Sequence, residues 1–318
     1  MKINIIHDLD TNFFKSLIDV NGDIKIFENN LSNNVWDLVL FYNPIKLKSS
    51  LKVKKGGLIF FSGEPHLMQS LPHRYYLQFD KCFTSRKIKL KNHINHPPLT
   101  PPLYDFDFKT KKRKNSLNQI LNKNHFQKKK MISVIYTNKT YLKGHRKRLE
   151  LLNFLKSNFN NKIDFFVGDN NLRLKNYAID EYKFHIAIEN SILDDYFTEK
   201  LMDSFLGEAC PVYSGPKNIY KYFDLEGLIE LNIYNHREAK ECIEHIIENG
   251  DAIYEEKFQK ILSNKKKIIS HYNIIEFLID YCNSNEQLKY YEKDIQPPDY
   301  FFENSPIELL RKFKNKFL

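Results

Sequence analysis

The sequence predicts an α/β fold of two doubly wound, Rossmann-like halves facing each other across a cleft, with further helices at the C-terminus. Three observations predict it. Short apolar runs of strand length recur through the first third of the chain. A proline-rich and then basic stretch interrupts them at residues 93–130. A second series of strand and helix signals starts at Met131. A chain of 318 residues is long enough for two ordinary domains, each with its own core.

The first series comprises Lys2–His7, the alternating run Asp23–Phe27, Trp36–Tyr42, and Gly57–Phe61 after the Gly56-Gly57 pair. Runs that are apolar throughout fit strands buried on both faces, as in a parallel sheet covered by helices. Residues 93–105 hold four prolines, which enforce an extended path. Residues 109–130 are polar, basic and weakly patterned, so the domain junction is expected there. The second series begins with the strand Met131–Tyr136. A helix is expected over Arg146–Asn158, then strands at Ile163–Val167 and Phe184–Ile188. A helix at Thr198–Leu206, a strand at Cys210–Tyr213, and helices near 237–249 and 265–282 complete the βαβ alternation. The expected domains are 1–125, 126–280 and a helical tail, 281–318.

Composition excludes several classes. The chain is 42% hydrophobic and 14% aromatic, which fits a folded protein. Its four cysteines, Cys82, Cys210, Cys242 and Cys282, form no C-x-x-C pair, which argues against a zinc site or a disulfide framework. No signal-peptide pattern and no run of about 18 apolar residues are seen, so a cytoplasmic protein is expected. The net charge of +10 attracts anionic partners without choosing among them. The KTKKRK run lies in the expected linker with no nucleic-acid-binding motif, which leaves nucleic-acid binding as a distant alternative.

The most informative stretch is FHIAIENSILDDYFTEKLMDSFLGEACPVYSG, residues 184–215. A buried strand delivers Glu189 and Asn190 at its carboxyl end, where ligands of open α/β sheets bind. Thr198 is a good N-cap, and Glu199 and Lys200 fall in the first turn of the helix it starts. The free N–H groups of a helix N-terminus attract anions. Lys200 can meet a diphosphate, and Glu189 or Glu199 can accept from ribose or base.

The spacing Glu189-Asn190-Ser191-x3-Asp195-Tyr196-x-Thr198-Glu199-Lys200, then Gly207, Pro211-Val212-Tyr213 and Gly215, resembles the signature of the family 10 α-1,3/α-1,4-fucosyltransferases. The resemblance implies a GT-B fold with GDP-fucose held by the C-terminal half. It implies that Tyr196, Glu199 and Lys200 contact the donor, with Thr198 in the same run, and that Glu189 and Asn190 shape the pocket. Asn138 sits where the family carries a Ser-Asn or similar pair. Arg148 resembles the family arginine that binds the pyrophosphate, with Arg146 as the alternative register. Its planar, permanently charged guanidinium suits phosphate.

The resemblance further implies an inverting transfer with a carboxylate base. Glu64, in Ser62-Gly63-Glu64-Pro65 after the GLIFF strand, takes that role by similarity. The expected partners are a GDP-sugar and an acceptor oligosaccharide or glycolipid, with another GDP-deoxyhexose or GDP-amino-deoxyhexose as the alternative donor. No obligatory metal is expected, because Arg148, Lys200 and the helix N-terminus supply positive charge. The Asp8-Leu9-Asp10 triplet reads as incidental loop acidity, and His93, His145 and His185 lack metal spacing. The basic, amphipathic segment Ile307–Leu318 fits either an anionic bilayer or a helix docked on the protein itself.

Overall fold

The computed structural model describes every residue except 10–12, 15–16, 18–22, 33, 65–70, 124, 139, 141–142, 169–171 and 304–318. The chain forms two compact units. One is Met1–Leu99 together with the C-terminal part from Ile274, and the other is Thr100–Asn273.

In the first unit, β1 (Lys2–Ile6), β2 (Lys25–Glu28), β3 (Val35–Trp36), β4 (Leu38–Tyr42), β5 (Ser49–Lys54), β6 (Leu58–Phe61), β7 (Lys81–Thr84) and β8 (His93–Asn95) follow one another. Six of them make a parallel sheet in the order β2-β1-β4-β6-β7-β8. The apolar runs LVLFY and LIFF are buried at every position, as strands covered on both faces must be. The short helix α1 (His73–Tyr76) lays Tyr75 and Tyr76 edge-on against Phe60, in a cluster with Trp36, Phe41 and Phe79. Burying each such ring contributes about 2–3 kcal/mol.

The second unit opens with a hairpin, β9 (Phe106–Asp107) and β10 (Lys112–Arg113), and the helix α2 (Leu117–Leu121). Ser116 and Gln119 cap α2 reciprocally, which satisfies two orphan N–H groups. Then come β11 (Lys130–Tyr136), α3 (Lys143–Phe159), β12 (Ile163–Val167), a 3₁₀ turn at Lys175–Ala178, β13 (Tyr182–Ile188), α4 (Glu199–Leu206), β14 (Cys210–Ser214), β15 (Ile229–Glu230) and α5 (His236–His271). The sheet is parallel, ordered β12-β11-β13-β14-β15. The chain leaves β11 toward one side and returns to β13 on the other. The topological switch point, where open α/β sheets bind ligands, is therefore at the carboxyl ends of β11 and β13.

The chain then rejoins the first unit. In α6 (Ile274–Ser284), Phe277 packs edge-on against Phe61 and Phe83. Next, β16 (Tyr290–Ile295) pairs antiparallel with β5, which also pairs with β3, and α7 (Pro298–Glu303) ends the described chain.

The unit boundaries differ from the expected ones. The stretch taken for a linker belongs to the second unit. Most of its lysines face solvent, but Lys128 donates to the Ile179 and Gly207 carbonyls, Leu117 and Ile120 are buried, and Arg113 donates to the Tyr104 and Pro102 carbonyls. The expected break between two late helices is also absent, because α5 runs unbroken through Gly250. A Cβ at that position would collide with the Met131 sulfur, so the glycine admits a close approach of α5 to β11. The segment Ile307–Leu318 and Asp10 lie outside the described residues.

Candidate functional site

A cavity of about 410 Å³ opens at the switch point of the second unit. Its walls come from the end of β11 (Val134 to Thr137), the end of β13 (His185 to Ile188, then Asn190), α3 (His145, Arg148, Leu152) and α4 (Glu199, Lys200, Asp203). Leu103, Phe108, Lys175 and Ile179 close it from the remaining side.

Arg148 is brought there by a tight helix–strand contact. A Cβ on Gly144 would collide with the Asn190 carbonyl oxygen, so the first turn of α3 rests directly on the end of β13. One turn later Arg148, mostly buried, donates to Asn190 Oδ1 at 2.7 Å and to Thr137 Oγ1 at 3.1 Å. Arg146 instead donates to the Thr140 carbonyl at 3.2 Å and does not line the cavity. Of the two arginines, Arg148 is the one that lines this cavity.

Thr198 caps α4 as its sequence promised, accepting from the Lys200 N–H. The loop leading into it is held by Asp195. That residue sits at φ +59°, a left-handed conformation that aspartate tolerates, and its carboxylate accepts from Asn218 Nδ2 and the Tyr222 hydroxyl. Glu189 is 1% exposed and is consumed by the architecture. Its carboxylate accepts from the Thr198 N–H at 2.8 Å, the Thr198 hydroxyl at 2.7 Å and the Tyr213 hydroxyl at 3.3 Å. Burial pushes the Glu189 carboxyl up, with Lys200 opposing.

Lys200 Nζ lies 3.5 Å from Glu189, 3.4 Å from Glu199 and 3.0 Å from the Thr198 hydroxyl. Burial lowers its pKa, but the Glu199 and Glu189 charges overcome that and hold it up, so it stays an ammonium. Burial likewise pushes the Glu199 carboxyl up, and the charges of Lys200 and then Lys175 outweigh it, leaving Glu199 at about 2. Lys175 also pairs with Asp203 at 2.7 Å. Asp203 in turn accepts from the Leu103 and Tyr104 N–H groups, both at 2.8 Å. His185 is held neutral, with its pKa at about 3, by burial and then by the Lys175 charge. The Ser133 hydroxyl donates to the Ala178 carbonyl and its oxygen lies 2.8 Å from His185 Nδ1.

Of the residues singled out in sequence, Arg148, Asn190, Glu199 and Lys200 meet in one cavity. Glu189, Tyr196 and Thr198 stand behind it, buried and not lining it, and Asn138 is exposed just past β11. Lys175, Asp203 and His185 line the cavity without having been anticipated as site residues. Their sequence signals were a lone lysine, a helical aspartate and a strand histidine, none specific. Among the described residues no three His, Cys, Asp or Glu side chains cluster as a metal site would require, and no helix is long and apolar enough to cross a membrane.

Glu64 belongs to the first unit, exposed at the end of β6. Its backbone is tightly held. Ser62 Oγ and Arg86 Nη2 donate to its carbonyl at 3.0 and 3.2 Å, and the preceding Gly63 N–H donates to Asn43 Oδ1 at 2.7 Å. A Cβ on Gly63 would collide with the Tyr42 hydroxyl.

Comparison with known proteins agrees with this geometry. The family profile described as glycosyltransferase family 10 (fucosyltransferase), C-terminal part, matches residues 125–296, more than half of the chain. The α-(1,3)-fucosyltransferase FucT of Helicobacter pylori is 29% identical over 76 residues, 24% of this chain and 16% of the relative. The 4-galactosyl-N-acetylglucosaminide 3-α-L-fucosyltransferase 9 of Homo sapiens is 39% identical over 72 residues, 22% of this chain and 19% of the relative. The matched region thus spans less than a fifth of either relative's length. A crystal structure of an α1,3-fucosyltransferase superposes with a TM-score of 0.51 at 16% identity, over 90% of each chain, which shows a shared GT-B-like α/β fold. The chain belongs to glycosyltransferase family 10, the fucosyltransferase family.

Proposed function

We propose that this protein is an inverting hexosyltransferase that moves L-fucose from GDP-β-L-fucose to a hydroxyl, O-3 of an N-acetylglucosamine, of an acceptor glycan such as a lipopolysaccharide or capsule saccharide. One observation carries the reading: Arg148 and Lys200, from different elements, line one cavity at the switch point of a parallel sheet. Departure of a nucleoside diphosphate places negative charge on its phosphates. Cations fixed in advance at that place stabilise the transition state more than the ground state. Glu199, kept ionised, accepts from donor hydroxyl or N–H groups, and Asn190 orients Arg148. Glu64 accepts the proton of the attacking acceptor hydroxyl. Its held backbone and solvent-facing position suit a base that meets an incoming sugar.

Two cations and the N-terminus of α4 supply the charge a divalent ion would otherwise bring, so no metal is required. Any membrane contact would be peripheral, at the cytoplasmic face.

The test is incubation with a panel of GDP-deoxyhexoses and a glycan array, with products read by mass spectrometry. Fucosylation with an α linkage is expected; transfer of only another deoxyhexose or an amino-deoxyhexose would replace the donor, and no transfer would sink the reading. Glu64→Gln should lower kcat by about 10²–10⁴-fold while GDP binding by calorimetry is kept, whereas loss of both would remove Glu64 from the role of base. EDTA should leave most of the activity, and complete inhibition restored by a divalent ion would overturn the metal-free mechanism.

A further inference from the structure

We infer that Lys175 is a positioning residue of the donor site, keeping Glu199 fixed and charged when a diphosphate draws Lys200 away from it. The inference rests on the donor-site reading above.

Five charged side chains form an unbroken alternating series: Glu189, Lys200, Glu199, Lys175 and Asp203, with successive N···O separations of 3.5, 3.4, 3.9 and 2.7 Å. Three of the five, Glu199, Lys200 and Asp203, lie on α4, and Glu189 directly follows β13. Lys175 alone comes from the 3₁₀ turn. It is the one cation of the series that α4 does not itself carry.

An ammonium has three N–H donors, and Lys200 Nζ already engages Glu189, Glu199 and the Thr198 hydroxyl. A phosphate oxygen can be accepted only in exchange for one of these contacts. Glu189 tolerates the exchange, because it retains the Thr198 N–H, the Thr198 hydroxyl and the Tyr213 hydroxyl. Glu199 is helped by the Thr198 side chain and its own N–H, and its second cation is Lys175. Lys175 cannot drift, because Asp203 holds it at 2.7 Å and is itself pinned by the Leu103 and Tyr104 N–H groups.

The groups facing Glu199 come from five elements. They are Lys200 and Asp203 on α4, Lys175 on the 3₁₀ turn, Glu189 and Tyr213 at the ends of β13 and β14, and Arg148 on α3, which acts on Lys200. Of the positive ones, Arg148 and Lys200 are the two that a diphosphate would neutralise. Lys175 is the remainder. Without it, one of the two charges that oppose burial is lost and the Glu199 pKa rises. A carboxyl that must be ionised to accept from the ligand then makes binding weaker as the pH falls.

The test is calorimetric titration of the full chain with GDP at about pH 7.5 and about pH 5, using wild type, Lys175→Met and Lys175→Arg. The ratio of variant to wild-type Kd cancels the ionisation of GDP itself. For Lys175→Met the ratio should be larger at the lower pH, and about tenfold growth marks a Glu199 carboxyl about one pKa unit above that pH. For Lys175→Arg it should stay flat. A Lys175→Met ratio that does not change with pH, or an arginine variant that behaves like methionine, would overturn the role. Should the methionine variant not fold, Lys175→Gln carries the same expectation. Lys200→Ala separates this inference from the reading beneath it. If that variant binds GDP as wild type does, the donor site itself is misplaced and the role of Lys175 falls with it. If it loses affinity while the Lys175→Met ratio stays flat, only the role of Lys175 falls.

Discussion

Glu189 does not line the cavity, and its carboxylate is spent on the turn that starts α4. It is among the most deeply buried carboxylates in the second unit, and its two oxygens take the N–H and hydroxyl of Thr198 and the hydroxyl of Tyr213. Its neutral analogue keeps one carbonyl acceptor and presents an amide where the second oxygen accepted. Glu189→Gln should therefore lower stability by about 1–3 kcal/mol, read as a lower midpoint in denaturant. The same change should leave GDP affinity within about tenfold, since removing a competing carboxylate from Lys200 offsets part of the disorder at the cap. A hundredfold loss of affinity with an unchanged midpoint would instead place Glu189 against the ligand. At this scale the sequence was informative wherever the pattern is local. Thr198 as cap, Glu199 and Lys200 in the first turn, and Asn190 past the strand all follow from neighbours within a dozen residues. Lys175 and Asp203 do not. Asp203 is meaningful through Leu103 and Tyr104, a hundred residues earlier in the chain, and no local pattern carries that pairing.

Glycines divide the legible from the illegible elements. Gly250 reads as a helix breaker, because glycine costs about 1 kcal/mol in a helix interior relative to alanine. Here it sits inside α5, where the missing side chain lets the helix approach Met131 and Phe184 on the adjacent strands. Intrinsic propensity yields to packing that is invisible in one dimension. Gly144 sits in the opposite situation, at the start of α3 against the Asn190 backbone. A backbone oxygen cannot rotate aside as a side chain can, so Gly144→Ala must lift α3 from β13. The expected cost is about 1–3 kcal/mol of stability, with Arg148 displaced from Asn190 Oδ1 and GDP affinity reduced by at least about tenfold. Equilibrium unfolding and GDP titration of the same variant check both, and an alanine variant with wild-type affinity would show that α3 can shift without moving its arginine. The strands were the easiest elements to foresee, since LVLFY, LIFF and FHIAI are apolar throughout and a parallel sheet buried on both faces needs such runs.

At the scale of the whole molecule, the informative discrepancy is the boundary between the units. Charge density placed the junction within residues 109–130, yet most lysines there lie on the solvent side of a segment fastened to the second unit, and Lys128 is one of the fastenings. Leu117 and Ile120 of α2 are buried with α5 as a neighbour, Asp105 accepts from Asn176, and Asp203 holds the Leu103 and Tyr104 backbone. These contacts give two fragments different fates. Residues 100–273 retain every one of them and form a contiguous chain with a core of its own, so that fragment should unfold in one cooperative transition and bind GDP. Residues 126–280, the domain expected from sequence, lack the Asp203 donors and the α2 apolar contacts. They also carry Ile275 and Leu278, buried in the full chain and stranded here without the first unit. Leaving a buried carboxylate such as Asp203 without its two backbone donors costs about 1–3 kcal/mol, a large share of the roughly 5–15 kcal/mol that holds a domain together. The shorter fragment should accordingly aggregate or melt without a cooperative transition, as circular dichroism would show. Equal stability and equal GDP binding by the two fragments would mean that residues 100–125 merely decorate the donor unit, and that the chain from Phe126 onward already contains all it needs to build the cavity.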